Sequence, residues 1–248
     1  MMSDIRTVMW KERKGLFRQQ GSLVRVLLTL LIPMAVFAIW TPWQEGRGWL
    51  ESPFSLIVSV FIPMLLVGMM IPESFAGERE RHTLETLLSS RLPDRAILFG
   101  KIAMSVGLAW GITLFALLLA LVTLNIVHWE GQIMFYTPTI ALVNIALSFI
   151  LASIMACLGV LISLRAATVQ GAQQTLMFAT LMPLTLLGVI VTVVLGSNSQ
   201  WIERFKEIVG SIDSTHLILI VGAVLVVACL GLLWAAMNRF QRARLILN

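Results

Sequence analysis

Charge is what this chain has least of. Asp, Glu, Lys and Arg make up 12% of its 248 residues, about half of what a soluble domain carries. None falls between Phe54 and Pro72, and none between Ile102 and Val127. A helix at about 1.5 Å per residue crosses roughly 30 Å of hydrocarbon in such a run. A soluble domain is excluded, and the reading is a polytopic membrane protein.

Groups that carry chemistry are scarce as well. There are three His and two Cys. Cys157 and Cys229 both fall inside predicted spans, where a small packing residue is the reading and no redox compartment is legible. His82 and Glu85 form an H-x-x-E string, but zinc needs at least three ligands, so no metal site is expected. The string "RAILFGKI" has Arg95 where the first Gly of a P-loop belongs and Ile102 where Ser or Thr belongs, so it cannot cradle phosphate. The chain is therefore expected to hold no cofactor and not to be an enzyme by itself. No Asp, Glu, Lys or Arg sits at a predicted midplane, which argues against a proton relay or ion-coupled carrier. The N-terminal residues 1–20 alternate charge and apolarity and lack the apolar core of a cleavable signal peptide.

What is present is a set of six predicted spans: about Leu23–Trp40, Phe54–Pro72, Ile102–Val127, Pro138–Leu164, about Gln173–Leu195 and about His216–Asn238. Of 18 Lys and Arg, only Arg47, Arg204 and Lys206 lie in the 41–53, 128–137 and 196–215 connections. The rest flank the opposite ends. Basic residues stay inside, so both termini and the 73–101 loop are expected in the cytoplasm of a cell carrying this chain in its inner or plasma membrane. The net charge of +5 thus reflects topology and not nucleic-acid binding. Trp40, Trp43, Trp49, Trp129 and Trp201 fall at predicted outer ends, where indole prefers the headgroup level.

The 73–101 loop gathers Glu73, Glu78, Arg79, Glu80, Arg81, His82, Glu85, Arg91 and Asp94 between two bare runs. Leu84, Leu87 and Leu88 repeat at i, i+3 and i+4, an apolar helical stripe beside dense charge. Pro93 breaks that helix, and Asp94 opens the next, where a carboxylate suits the N-terminus. A greasy face flanked by charge is what docks in a partner's groove. Residues 1–22 read as an amphipathic interfacial helix, with Arg6, Lys11, Arg13, Lys14 and Arg18 toward anionic lipid. Trp201, Ile202, Phe205, Ile208 and Val209 predict an outer amphipathic helix within 196–215. Asn125, Asn144, Ser148 and Ser153 are the polar residues of the spans. Packing between helices is their expected use, with substrate-pathway lining at Asn144 and Ser148 as the functional alternative. Ala103, Gly107 and Gly111 form a small-residue ladder that permits close helix approach. Pro33, Pro63 and Pro183 are candidate kinks.

The stretch "FAGERERHTLETLLSSRLPDRAILFGK" resembles the cytoplasmic loop of ABC type-2 permeases, the membrane subunits of bacterial and archaeal ABC exporters. Glu78, Arg79, Glu80, Thr83, Leu84, Glu85, Leu87 and Leu88 match its wording, and Gly100 and Lys101 follow at the usual distance. The N-terminal "WKERKGLFRQQGSLVRVLLTLLIP" matches too. The family often has Gly where His82 stands, and its usual Pro after the Leu pair is replaced by Arg91. The resemblance implies a single all-α domain over 1–248, with a coupling helix in 73–101. It implies two ATPase subunits, which supply ATP and Mg, and a second permease copy. It makes Glu78, Glu80, Thr83, Leu84, Glu85, Leu87 and Leu88 the candidate coupling residues. It also implies an outer lid between the fifth and sixth spans. A haem-exporter-like permease of cytochrome c maturation is the narrower alternative. A membrane scaffold or immunity protein without transport is the alternative of another class.

Overall fold

The computed structural model describes residues 2–18, 31–82, 91–129, 131–196 and 214–240. Among these the chain is helical almost throughout, with no strand. The helices are α1 (Met2–Arg18), α2 (Thr41–Glu45), α3 (Gly48–Glu51), α4 (Leu56–Glu80), α5 (Asp94–Val127), α6 (Pro138–Ser163), α7 (Val169–Gly196) and α8 (Ser214–Arg239). A π-helical turn, Ala35–Trp40, runs directly into α2. Five helices, α4 to α8, are long and apolar enough to cross a membrane. The first expected span, 23–40, is described only from Leu31 and so lies largely outside the described residues. Thr83, Leu84, Glu85, Leu87 and Leu88 lie outside them as well, as does the outer helix expected at 201–209.

The helix ends follow local chemistry. Pro93 is extended, at φ −67° and ψ 143°, and Asp94 sits in the first turn of α5, where its charge meets unsatisfied N–H groups. Pro138 opens α6, where a missing N–H is harmless. α5 has 34 residues, about 50 Å at the helical rise. It therefore outruns the hydrocarbon, and its Asp94 end projects toward water. α4 closes with the Arg81 N–H donating to Gly77 O, and the next residue, His82, has φ +55°. That is the left-handed position where glycine is at ease and a side chain is strained. The glycine common at this place in the resembling loops has that physical reason.

α4 is the central helix. It packs against α5, α6 and α7, while α8 rests on α6 and α1 on α5. In the most apolar window of α4, 61% is buried within the chain, against none of α8. Gly159 lets α6 approach α4 closely, since a Cβ there meets Ile71 Cγ2 at 2.8 Å. Pro63 and Pro183 lie inside α4 and α7, which continue past them. The ladder of Ala103, Gly107 and Gly111 faces outward, and a Cβ on either glycine meets nothing within 4 Å. Its close neighbour is therefore not found among the described residues.

At the opposite end, α2, α3 and the turn Pro53–Ser55 fold over the bundle. Trp49 is 2% exposed, so this indole is core and not part of an interfacial belt. The reason is that α3 turns inward, with the Thr137 N–H reaching Leu50 O. Trp40, Trp43 and Trp129 are exposed, as an interfacial belt requires. Asn125 pins the connection between α5 and α6: its amide donates to Met134 O at 3.0 Å and its carbonyl accepts from Met134 N at 2.8 Å. Burial pushes the Tyr136 hydroxyl up to about 12, with Trp49 pulling the other way. It stays a donor and reaches Leu117 O at 3.1 Å.

Replacing His82 by glycine is expected to stabilise the protein by about 0.5–1 kcal/mol, since it removes left-handed strain. A thermal melt of the purified protein in detergent reads this as a raised midpoint. A lowered midpoint would show that the imidazole makes contacts worth more than the strain.

Candidate functional site

The four charges of Glu78–Arg81 end α4, and each is aimed at a different element. Glu78 faces α1 and α5. Its Oε1 accepts from Lys11 Nζ at 2.9 Å and its Oε2 lies 3.0 Å from Lys101 Nζ. Arg79 donates to Leu164 O at 2.9 Å, the carbonyl at the α6 C-cap. Glu80 accepts from Val169 N at 3.2 Å, at the start of α7. Arg79 and Glu80 thus set a cation at one helix C-terminus and an anion at the next N-terminus, as the two dipoles favour. Arg81 turns back along α4 and pairs with Glu73.

At the centre of this arrangement is Lys101, 1% exposed. Its ammonium meets Ser74 O at 2.7 Å, Ser74 Oγ at 2.9 Å, Glu78 Oε2 at 3.0 Å and Glu12 Oε1 at 3.1 Å. The Ser74 hydroxyl accepts from Lys101 and donates to Glu12 Oε2 at 3.1 Å. The Phe75 ring centroid lies 5.2 Å from the ammonium, and that ring meets Phe240 edge-on. Every carboxylate oxygen of Glu12 and Glu78 is thereby engaged. Lys11 and Lys101 balance Glu12 and Glu78, so the cluster carries no net charge. A buried ion pair is tolerable only when charge is matched this closely; Glu78 Oε2 is held by the ion contact to Lys101 and has no hydrogen bond of its own among the described residues.

Local sequence places these groups. Ser74 and Glu78 are one turn apart on α4, and Val8 and Glu12 one turn apart on α1, so each pair shares a face. Val8 is 2% exposed and lies against Gly100. A Cβ on Gly100 would come within 2.6 Å of Val8 Cβ and 3.3 Å of Ile5 O. Only glycine lets α1 lie close enough to α5 for Glu12 to reach Lys101. The Gly100–Lys101 pair therefore works as a unit, one residue for approach and the next for charge.

Of the candidate coupling residues, Glu78 and Glu80 are described, and both brace this chain's own helices. Glu12, Ser74 and Arg79 complete the cluster; Arg79 stands in the matching loop wording and Glu12 in the matching N-terminal stretch, but none was among the candidate coupling residues. The signal for Glu12 and Lys101 was a lone charge on an otherwise apolar or oppositely charged helix. Nothing in sequence pointed to Ser74.

Asn144 and Ser148 lie in the seam between α4 and α6, both nearly fully buried. Asn144 donates to Ser55 Oγ at 2.9 Å and Ile140 O at 3.0 Å, and it accepts from Ser59 Oγ at 2.6 Å. Ser148 donates to Ile145 O. The bonds to Ser55 and Ser59 tie α6 to the start of α4, while those to Ile140 and Ile145 stay within α6. A separate open groove of about 680 Å³ runs between α4 and α7, with Met69, Gln173, Gln174, Met177 and Phe178 in its lining. No group of three or more potential metal ligands occurs among the described residues.

These features define a multi-pass helical membrane protein whose helix ends are gathered on one charged hub. The family model described as "ABC-2 family transporter protein" matches residues 52–228. The chain belongs to that family, and so is a transporter permease. No individual curated protein matches it.

Lys101→Met is expected to destabilise the protein by about 3–5 kcal/mol, because two carboxylates lose their shared cation. Adding Glu12→Gln and Glu78→Gln should recover part of that loss, which thermal melts of the single and triple variants measure. A single variant as stable as wild type would show that the cluster is open to water.

Proposed function

We propose that the protein is the permease subunit of an ATP-driven exporter. It forms the substrate pathway with a second permease copy and takes its motion from two separate ATPase subunits. The segment 73–101 is the contact with those subunits, on the cytoplasmic face, and ATP and Mg are bound there by the partner. Thr83, Leu84, Glu85, Leu87 and Leu88 form the docking ridge. Glu78 and Glu80 transmit its displacement.

The observation that carries this reading is that both ends of 73–101 are tied to the same hub. Glu78 at one end and Lys101 at the other are ion-paired to each other. Glu78 reaches α1, and the neighbouring Arg79 and Glu80 reach the ends of α6 and α7. A push on the intervening ridge is delivered to α1, α4, α5, α6 and α7 together, which is what a lever needs. Family membership and the one-sided distribution of basic residues support the same reading. The α4–α7 groove, apolar and rich in methionine, suits an amphipathic or apolar substrate.

The test is reconstitution with the partner ATPase. Leu88→Asp, or Glu80→Lys with Glu85→Lys, should abolish substrate-stimulated ATP hydrolysis while the permease still inserts. Cysteines placed at position 88 should react with impermeant maleimide only from the cytoplasmic side. Undiminished stimulation in Leu88→Asp would overturn the assignment.

A further inference from the structure

We infer that α1 and α5 together hold one anionic phospholipid, its phosphate between Arg6 and Arg13 and an acyl chain along Gly107 and Gly111. This rests on the chain being a membrane protein and not on its coupling to an ATPase. Arg6, Thr7, Met9, Trp10 and Arg13 of α1 and Met104 of α5 line an open groove of about 610 Å³. Arg6 and Arg13 are seven positions apart, hence on one face and about 10 Å apart along the axis. Trp10 stands between them, 54% exposed, and the Lys14 ammonium lies 4.8 Å from its ring centroid. Among the described residues no ion pair involves Arg6 or Arg13. Of the two carboxylates of α1, Glu12 is turned to Lys101 and Asp4 accepts from the Ser3 hydroxyl. Among the described residues the groove lining is thus positive, with no carboxylate paired to either arginine.

Guanidinium groups are suited to phosphate oxygens, which they bind in pairs. An indole beside them is at home at the depth of lipid headgroups. The apolar half of the site continues the same line. Met104 is followed along α5 by Gly107 and Gly111, whose surfaces are open, leaving a shallow trough bare of side chains. A nucleic acid or acidic protein would answer the arginines but has no use for an apolar trough. A glycerophospholipid answers both.

The test is native mass spectrometry of the purified protein in a neutral detergent, titrated with phosphatidylglycerol or with phosphatidylcholine of the same chains. Saturable binding of one phosphatidylglycerol per chain is expected, and no comparable binding of phosphatidylcholine. Arg6→Gln with Arg13→Gln should weaken binding about 30-fold. Arg91→Gln with Arg165→Gln, an equal loss of charge at other exposed positions, should leave it unchanged. Gly107→Leu with Gly111→Leu should weaken it with no change of charge. Equal binding of both lipids, equal losses in the two arginine pairs, or full binding by the glycine pair would each overturn the site.

Discussion

A lysine ammonium removed from water must find enough oxygen to replace what it gave up. Lys101 finds it on two other helices, and the charged end of the helix bundle is organised around that need. Ser74 supplies two oxygens from α4, Glu78 a third, and Glu12 a fourth from α1. Removing any one leaves charge unmatched in a poorly solvated place, where the penalty exceeds the gain from forming the pair. Such clusters add little net stability, but they tolerate few alternative arrangements. Here the arrangement fixes the height and rotation of α1, α4 and α5 relative to one another.

The hub then extends outward through backbone termini. Arg79 and Glu80 use no acidic or basic partner on α6 and α7. They bind the carbonyl and N–H that every helix end leaves unsatisfied. This is a general way to fasten helices without demanding particular side chains from them. By contrast, α8 rests mainly on α6 among the described residues, with Phe240 just beyond its end against Phe75, and exposes most of its surface. In lipid such a surface has no drive to bury itself, which leaves it free to face acyl chains or another subunit.

Much of this was legible from residues alone. Bare apolar runs gave five spans now seen as helices, because their only requirement is length and the absence of charge. Pro93, Asp94 and Pro138 marked helix starts through chemistry that acts within one turn. The charge run 78–81 stands out in the sequence, with Glu78 and Glu80 among the candidate coupling residues, but the sequence does not say which neighbours its charges meet. Those neighbours include Lys11, Leu164 and Val169, 67 to 89 positions away in sequence, and periodicity carries no such information. Trp49 illustrates the same limit. Its position in a connection suggested an interfacial belt, while its burial comes from a fold-back of α3 that composition does not announce.

The contact between Glu12 and Lys101 also imposes an order on biosynthesis. Glu12 leaves the ribosome 89 residues before the lysine that completes it (101 minus 12). At about 5–20 residues per second that is a wait of roughly 4–18 s. Through that interval Glu12 has no Lys101 to meet, and α1 has no α5 to pack on. The docking of α1 therefore comes only after α4 and the first turns of α5 have been made.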